Sequence, residues 1–420
     1  GWQRNLVWRV AMSRVRVADV QGVQLDPVAI GKPAFAIGCG AYRLVDLAKS
    51  LGRPVQARVR PHLAEIVAAD YPEFGNGSAD AEANVLWLNA RTIPSVAVLD
   101  EPGIATTGQA VAAAIVPANR VSVDAGAEQH GDFEAQLRGL ELPVLRVELP
   151  LFEFPHDIVR HHTKILSANL EHRLTQGEYK QQADGVFAAP GATLGQHVVA
   201  DTRRGPIVLE AGASIGPYCF VSGPVHVGAA ARVIEHAALK DAVAIGHTAK
   251  IGGEVEASII EPYTNKQHHD VMGLSCGGSW INLGAGTCNS DLKNTYGQVN
   301  MEYHGQKVAT GMQFVGAIIG DYAKTAINTG IFTGKTIGAC SMVYGFVTTN
   351  VPSFVNYARL FGQVTEAPVE VMVATQQRMF ERRDVAQRPC DIQLLHDMYR
   401  LTIDERKRLG ETLSLEPLSL

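Results

Sequence analysis

The chain has 420 residues, 37 of them basic and 42 acidic, for a net charge of −5. With 46% hydrophobic and 19% charged residues it can bury sizeable cores, and its length fits two or three domains. The acidic balance, without any block of Lys and Arg, argues against a general nucleic-acid binder. No apolar run reaches 18 residues, so no membrane-spanning helix is expected. The opening GWQRNLVWRVAMSR lacks the apolar core of a secretory signal. The six cysteines are scattered with no C-x-x-C pair, so neither a disulfide framework nor a zinc site is expected. A reducing, cytoplasmic setting follows.

Residues 14–150 read as an α/β unit. Short apolar strands are expected at 15–17, 55–59, 85–89, 96–100 and 144–149, with a helix over 41–52 closed by Gly52. The alternation suggests a partly parallel sheet. Asp100 and Glu101 follow an apolar strand, where carboxylates can hold Mg²⁺ near phosphates, although a solvated loop is the simpler reading. Residues 154–174 have the spacing of an amphipathic helix within a linker, 151–184. Its histidines, His156, His161 and His162, are read as solvated helix residues, because no carboxylate or Cys stands at ligand spacing.

From Leu209 the chain repeats in sixes. Leu209, Ile215, Val221, Val227, Val233, Leu239, Ile245 and Ile251 lead successive hexads, with Ala257 as a ninth. Fifth positions are small or β-branched, as in Ala213, Cys219, Val225 and Ala231. A helix repeats at 3.6 and a long strand at two, so neither explains a strict six. A short strand plus a tight turn does, and three hexads close one triangular coil of a β-solenoid. The ladder returns at Ile319, Thr325, Ile331, Ile337 and Val343, with Lys335 a poor fit at a fifth position. The coil is thus expected over 185–365. Two interruptions are read, Thr264–Ile281 with NKQHHD and Asn289–Met312 with a hairpin over 299–310. Insertions in repeat arrays fall on one face, often the binding face. The tail, 366–420, reads as helical cover for the open end, with a capping box at Thr402–Glu405 and a stop at Gly410.

The stretches GGEVEASIIEPYTNKQHHD, WINLGAGTCNSDLKNTYG and FVGAIIGDYAKTAINTG resemble a sugar nucleotidyltransferase family. That family is related to the bifunctional N-acetylglucosamine-1-phosphate uridylyltransferase/glucosamine-1-phosphate acetyltransferase. The resemblance implies a left-handed parallel β-helix, a homotrimer with sites between neighbouring coils, and acetyl-CoA as co-substrate. In the acetyltransferase half of the bifunctional enzyme a loop His acts as base fourteen residues before the Asn of an N-x-G-A-G turn. Asn282–Gly286 matches that turn, and fourteen residues back stands His268. By the same resemblance Gly284, Ala285, Gly316 and Ala317 would line the acyl-CoA arm. Asn289, Lys293 and Asn294, with Lys266 and Asn282 beside them, would face a sugar phosphate or nucleotide sugar. Without the resemblance His268 is an ordinary surface histidine, as His269 remains, and Lys293 and Asn294 are turn formers. Four departures stand out: the second histidine, His269; Leu274 where the family has a His; the cysteine Cys276; and Val271 where the bifunctional enzyme has a substrate-binding Tyr.

The N-terminal part departs further. AFAIGCGAYRL (34–44) keeps a G-x-G but lacks the T-R pair and the P-K that stabilise nucleotide phosphates in this class. Three readings stay open: an acyltransferase using acetyl-CoA, a sugar-1-phosphate nucleotidyltransferase using Mg²⁺, and a catalytically silent trimeric scaffold that binds sugar nucleotides.

Overall fold

The computed structural model describes residues 12–19, 25–75, 83–95, 99, 101–120 and 133–418. They form two compact units. One is centred on Tyr42–Phe154, the other on Pro155–Leu420, and the second also takes in Gln24–Gly31 and Cys39–Ala41. Among the described residues no helix is long and apolar enough to cross a membrane.

The first unit is a mixed five-stranded sheet. Its strands are β1 (Met12–Ala18), β2 (Val55–Arg58), β3 (Asn84–Asn89), β4 (Gly103–Thr107) and β5 (Ala110–Val116), in the order β2-β1-β3-β5-β4. β1 pairs in parallel with β2 and β3, whereas β5 is antiparallel to both β3 and β4. Helices α1 (Leu44–Ser50) and α2 (Ala64–Asp70) lie between strands in sequence. Gly52 stops α1 with φ +63°, as expected. β4 and β5 escaped sequence reading, because AVAAAIV is alanine-rich and shows no alternation. Its residues Val111–Val116 are all buried, the pattern of a strand covered on both faces. The strand expected at 144–149 reduces to one bridge, Val144 to Ile104. The strand expected at 96–100 falls, apart from Leu99, outside the described residues, as does Asp100.

The second unit is the coil. Helix α4 (His156–Gln176; α3, Phe133–Arg138, precedes it in the first unit) leads into it. Three parallel sheets make its faces. The first face runs through ten strands from Thr193–Leu194 to Gln363–Glu366, the last of them antiparallel. The second runs from the antiparallel Lys180–Ala183 to Lys335–Ile337. The third is split into Val199–Asp201 to Val271–Gly273 and Cys288–Asn289 to Phe346–Val347. The hexad leaders form one continuous apolar core, including Leu209, Ile215, Val221, Val227, Val233, Leu239, Ile245 and Ile251.

The period is regular only in part. Ile215 pairs with Val233 and Val233 with Ile251, eighteen residues apart each time. Ile251 then pairs with Lys266, fifteen residues on, and Leu239 with Val255 rather than Ala257. Thr264–Ile281 is therefore no interruption. It holds strands Asn265–Lys266, Val271–Gly273 and Cys276–Gly277, and the coil passes through it on shortened hexads. The second interruption is real and carries the antiparallel hairpin Asn300–Tyr303 with Gln306–Ala309. The tail folds as α5 (Val369–Glu381), α6 (Pro389–Leu401) and α7 (Ile403–Lys407). The capping box does not form: the Thr402 hydroxyl donates back to Met398 O, and Glu405 accepts from Ser353 N.

Candidate functional site

One edge of the coil, where the first face turns into the third, gathers the expected acyl-transfer residues. In successive coils this edge is crossed after Ile251, after Lys266 and after Leu283. His268 stands in the second crossing, exposed with His269 and Asp270. Gly284 and Ala285, half-buried, stand in the third, about 4.8 Å further along the coil axis. The Gln267 side-chain Nε2 lies 3.3 Å from His268 Nε2, so the amide donates to a ring nitrogen that accepts. Gly252, in the crossing before, must be glycine, because a Cβ there would sit 2.2 Å from Gln267 O.

Two residues expected to face substrate are instead rungs of the core. Lys266 fills the leader position opposite Ile251 and is only 2% exposed. Its ammonium donates to Gly252 O at 2.9 Å and Asp270 O at 2.6 Å, with His268 O at 3.5 Å. Burial pushes its pKa down to about 8, against the pull of Asp270 and Glu254. Shortening the hexads leaves carbonyls pointing inward, and Lys266 satisfies them while tying down the His268 loop. Asn289 likewise pairs inward opposite Ile331. Its amide accepts from Gly273 N at 3.1 Å and donates to Gly273 O at 2.9 Å, bridging the split in the third face. Asn282 points outward on the first face, and its side-chain oxygen accepts from Asn265 at 2.9 Å. Gly316 and Ala317 are buried at a different edge, leading into the second face.

Lys293 and Asn294 do line a groove. It measures about 590 Å³ and lies between the hairpin and the coil. Ser290, Phe332, Lys307 and Lys335 share it, with Glu302 at its rim. Lys293 donates to Gln298 O at 3.1 Å, which holds the turn before the hairpin. Burial lowers the Lys335 pKa, Glu302 opposes this and Lys307 adds to it. Sequence reading missed Lys307 and Lys335 as lining residues, although Lys335 already stood out as a misfit in the repeat. Three lysines in one groove make it a place for an anion. His268 is not among the residues that line it.

The G-x-G loop is engaged from inside. Gly40 N donates to His162 Nδ1 and Ala41 N to Asn169 Oδ1, both at 3.0 Å, while Arg173 Nε donates to Ala41 O at 2.9 Å. Gly40 has φ +63°, and a Cβ there would sit 2.0 Å from Asn169 Oδ1. His156 and His162 are buried rather than solvated. His162 Nε2 bonds Ala242 O at 2.9 Å and His156 Nδ1 meets the Tyr303 hydroxyl at 2.8 Å. Burial drives both pKa values down to about 4. Among the described residues no three His, Cys, Asp or Glu side chains gather as a metal site. Cys219 and Cys340 are buried and Cys288 half-buried.

Residues 17–178 match the family model described as sugar nucleotidyl transferase. A bifunctional sugar-1-phosphate nucleotidylyltransferase/acetyltransferase of Sulfurisphaera tokodaii is 32% identical over 103 residues, 24% of this chain and 26% of that protein. The bifunctional protein GlmU of Ralstonia pickettii is 33% identical over 115 residues, 26% of this chain and 24% of that protein. The matches thus span about a quarter of each relative. The UDP-N-acetylglucosamine acyltransferase of Francisella novicida is 17% identical, covering 52% of this chain and 74% of that one, at a TM-score of 0.28.

Proposed function

We propose that the chain is an acyltransferase that moves an acetyl group from acetyl-CoA to an amino or hydroxyl group of a sugar phosphate or nucleotide sugar. The observation that carries this is the shared edge: His268, exposed, stands one coil from the small residues Gly284 and Ala285. Small residues on an edge let a thin pantetheine arm lie against the backbone. His268 takes the proton from the attacking nucleophile as the thioester carbonyl becomes tetrahedral. The electron pair returns to expel the CoA thiolate, which leaves as the thiol. Lys293, Lys307 and Lys335 hold the acceptor's phosphate.

In this reading three chains pack side by side in the cytoplasm, and one chain's His268 faces a neighbour's groove. The outward positions of the third face support this. Val199 and Phe220 at one end, and Phe332 and Phe346 at the other, are exposed apolar side chains on a sheet face.

Nucleotidyl transfer by the N-terminal unit is the second reading, favoured by the family match and by the names of the bifunctional relatives. It needs Mg²⁺, which Asp or Glu carboxylates would hold together with the substrate's phosphates. It also needs free amides in the glycine loop, and those of Gly40 and Ala41 are taken. Pyrophosphate release across a panel of sugar phosphates tests it.

Calorimetry tests the first reading. Acetyl-CoA should bind the wild-type protein, and Ala285→Trp should abolish binding while leaving the melting temperature within a few degrees. Equal binding by both proteins, or none by the wild type, overturns it.

A further inference from the structure

The first face carries a column of cations that acyl transfer does not use. Arg232 and Lys250 are outward residues on neighbouring strands, paired in register one coil apart. Neighbouring strands lie about 4.8 Å apart, and like charges directly opposite each other disfavour the pairing. The end of α5 adds two more. Phe380 lies against Trp280 at 4.5 Å with the rings tilted by 35°, Trp280 stacks on Tyr263 at 4.1 Å, and Tyr263 meets His247 edge-on at 5.0 Å. This ladder of rings fastens the helix end to the coil beside Lys250, whose backbone N–H bonds Thr264 O next to Tyr263. Arg382 and Arg383 follow Phe380 after one intervening residue, Glu381. Their charges, with that of Arg232, add to burial in lowering the Lys250 pKa.

Among the described residues no carboxylate makes an ion pair with any of the four. The acids nearest in sequence do not serve. Glu381 accepts from Gln377 at 3.1 Å, and Asp384 is exposed in a left-handed turn at φ +55°. Other surface arginines in this unit do find partners, as Arg203 does in Asp201 and Arg359 in Glu411. The chain as a whole is acidic, at a net −5, so the cluster is a local exception.

We propose that Arg232, Lys250, Arg382 and Arg383 form an anion site for a ligand carrying adjacent phosphate groups. A single phosphate monoester carries about −1.5 to −2 at neutral pH, too little to balance four cations, whereas two linked phosphates come close. Arginine forks suit phosphate oxygens, and the compact cluster lacks the extended stripe a nucleic-acid polymer needs. The site is independent of the acyl-transfer reading, because it uses none of the residues of that edge or groove.

The test is calorimetric titration of the full chain with inorganic pyrophosphate, inorganic phosphate, ADP and UDP at matched ionic strength. Pyrophosphate should bind at least tenfold tighter than phosphate, and the Lys250→Ala/Arg383→Ala double variant should lose at least tenfold in affinity. Tighter binding of ADP or UDP than of pyrophosphate assigns the phosphates to a nucleotide, and the reverse assigns them to free pyrophosphate; both support the site. Removing mutual repulsion should also raise the double variant's melting temperature in low salt without ligand. Equal affinity for phosphate and pyrophosphate, unchanged affinity in the double variant, or an equal stabilising effect of sulfate overturns the proposal.

Discussion

Lys266 offers the sharpest test of how the coil holds the His268 loop. Lys266→Met keeps the side-chain length and removes every donor. Two effects on stability oppose each other. The amine's pKa falls from 10.5 to about 8 on folding, so keeping it charged in the core costs about 3 kcal/mol at neutral pH, and methionine lifts that cost. Against this, Gly252 O loses its donor, worth about 1–3 kcal/mol for a buried acceptor. Asp270 O retains the Glu254 N–H. The two effects nearly cancel, so urea unfolding at pH 7 should show a change within about 2 kcal/mol. The loop is a different matter. Asp270 O and the weaker contact to His268 O are released, and thiol release from acetyl-CoA should fall at least tenfold in kcat with little change in KM. A further signature is pH. Because the folded pKa is depressed, the unfolded chain holds the proton longer, and wild-type stability should rise by about 3 kcal/mol between pH 8 and 10.5 on this account. That rise should vanish in Lys266→Met. A loss of 4 kcal/mol or more with kcat intact would make Lys266 a plain core residue and refute the reasoning.

Three further outcomes follow from the geometry. His162 is neutral in the fold with a pKa of about 4 against 6.5 unfolded, so stability is full above pH 6.5 and is lost as pH falls toward 4. The loss reaches about 3 kcal/mol, and denaturant titrations at pH 7 and 4.5 should show it shrinking in His162→Gln. Gly40→Ala should cost at least 2 kcal/mol, roughly 1–2 from its left-handed backbone and the rest from the overlap with Asn169, read as a lower melting temperature. Asn289→Ala strips the partner from Gly273 N, whereas Gly273 O keeps the Ser275 hydroxyl, and should cost about 1–3 kcal/mol for the one group left buried.

The regular part of the coil was legible because each leader from Leu209 to Ile251 is apolar and six residues from the next. The sequence hid what came after for a physical reason. Where hexads shorten, inward carbonyls need donors, so Lys266 and Asn289 replace aliphatic rungs, and polar residues in a broken period look like a loop facing substrate. The same cause misplaced Ala257, since a four-residue step brings Val255 into line instead. His268 was singled out through the resemblance, and in the fold its loop and the N-L-G-A-G turn cross the same edge one coil apart. Lys307 was not, since it reaches the groove through the hairpin's pairing and no local pattern marks it. The buried state of His156 and His162 was also hidden: their partners, Tyr303 and Gly40, lie more than a hundred residues away.

The most direct test is thiol release from acetyl-CoA with a panel of amino-sugar phosphates and nucleotide sugars, comparing wild type with His268→Ala. Removing a general base costs about 10²–10⁴ in rate. The account predicts turnover by the wild type on at least one acceptor and a loss of that size in the variant, with acetyl-CoA affinity unchanged. Turnover that survives His268→Ala undiminished would contradict it.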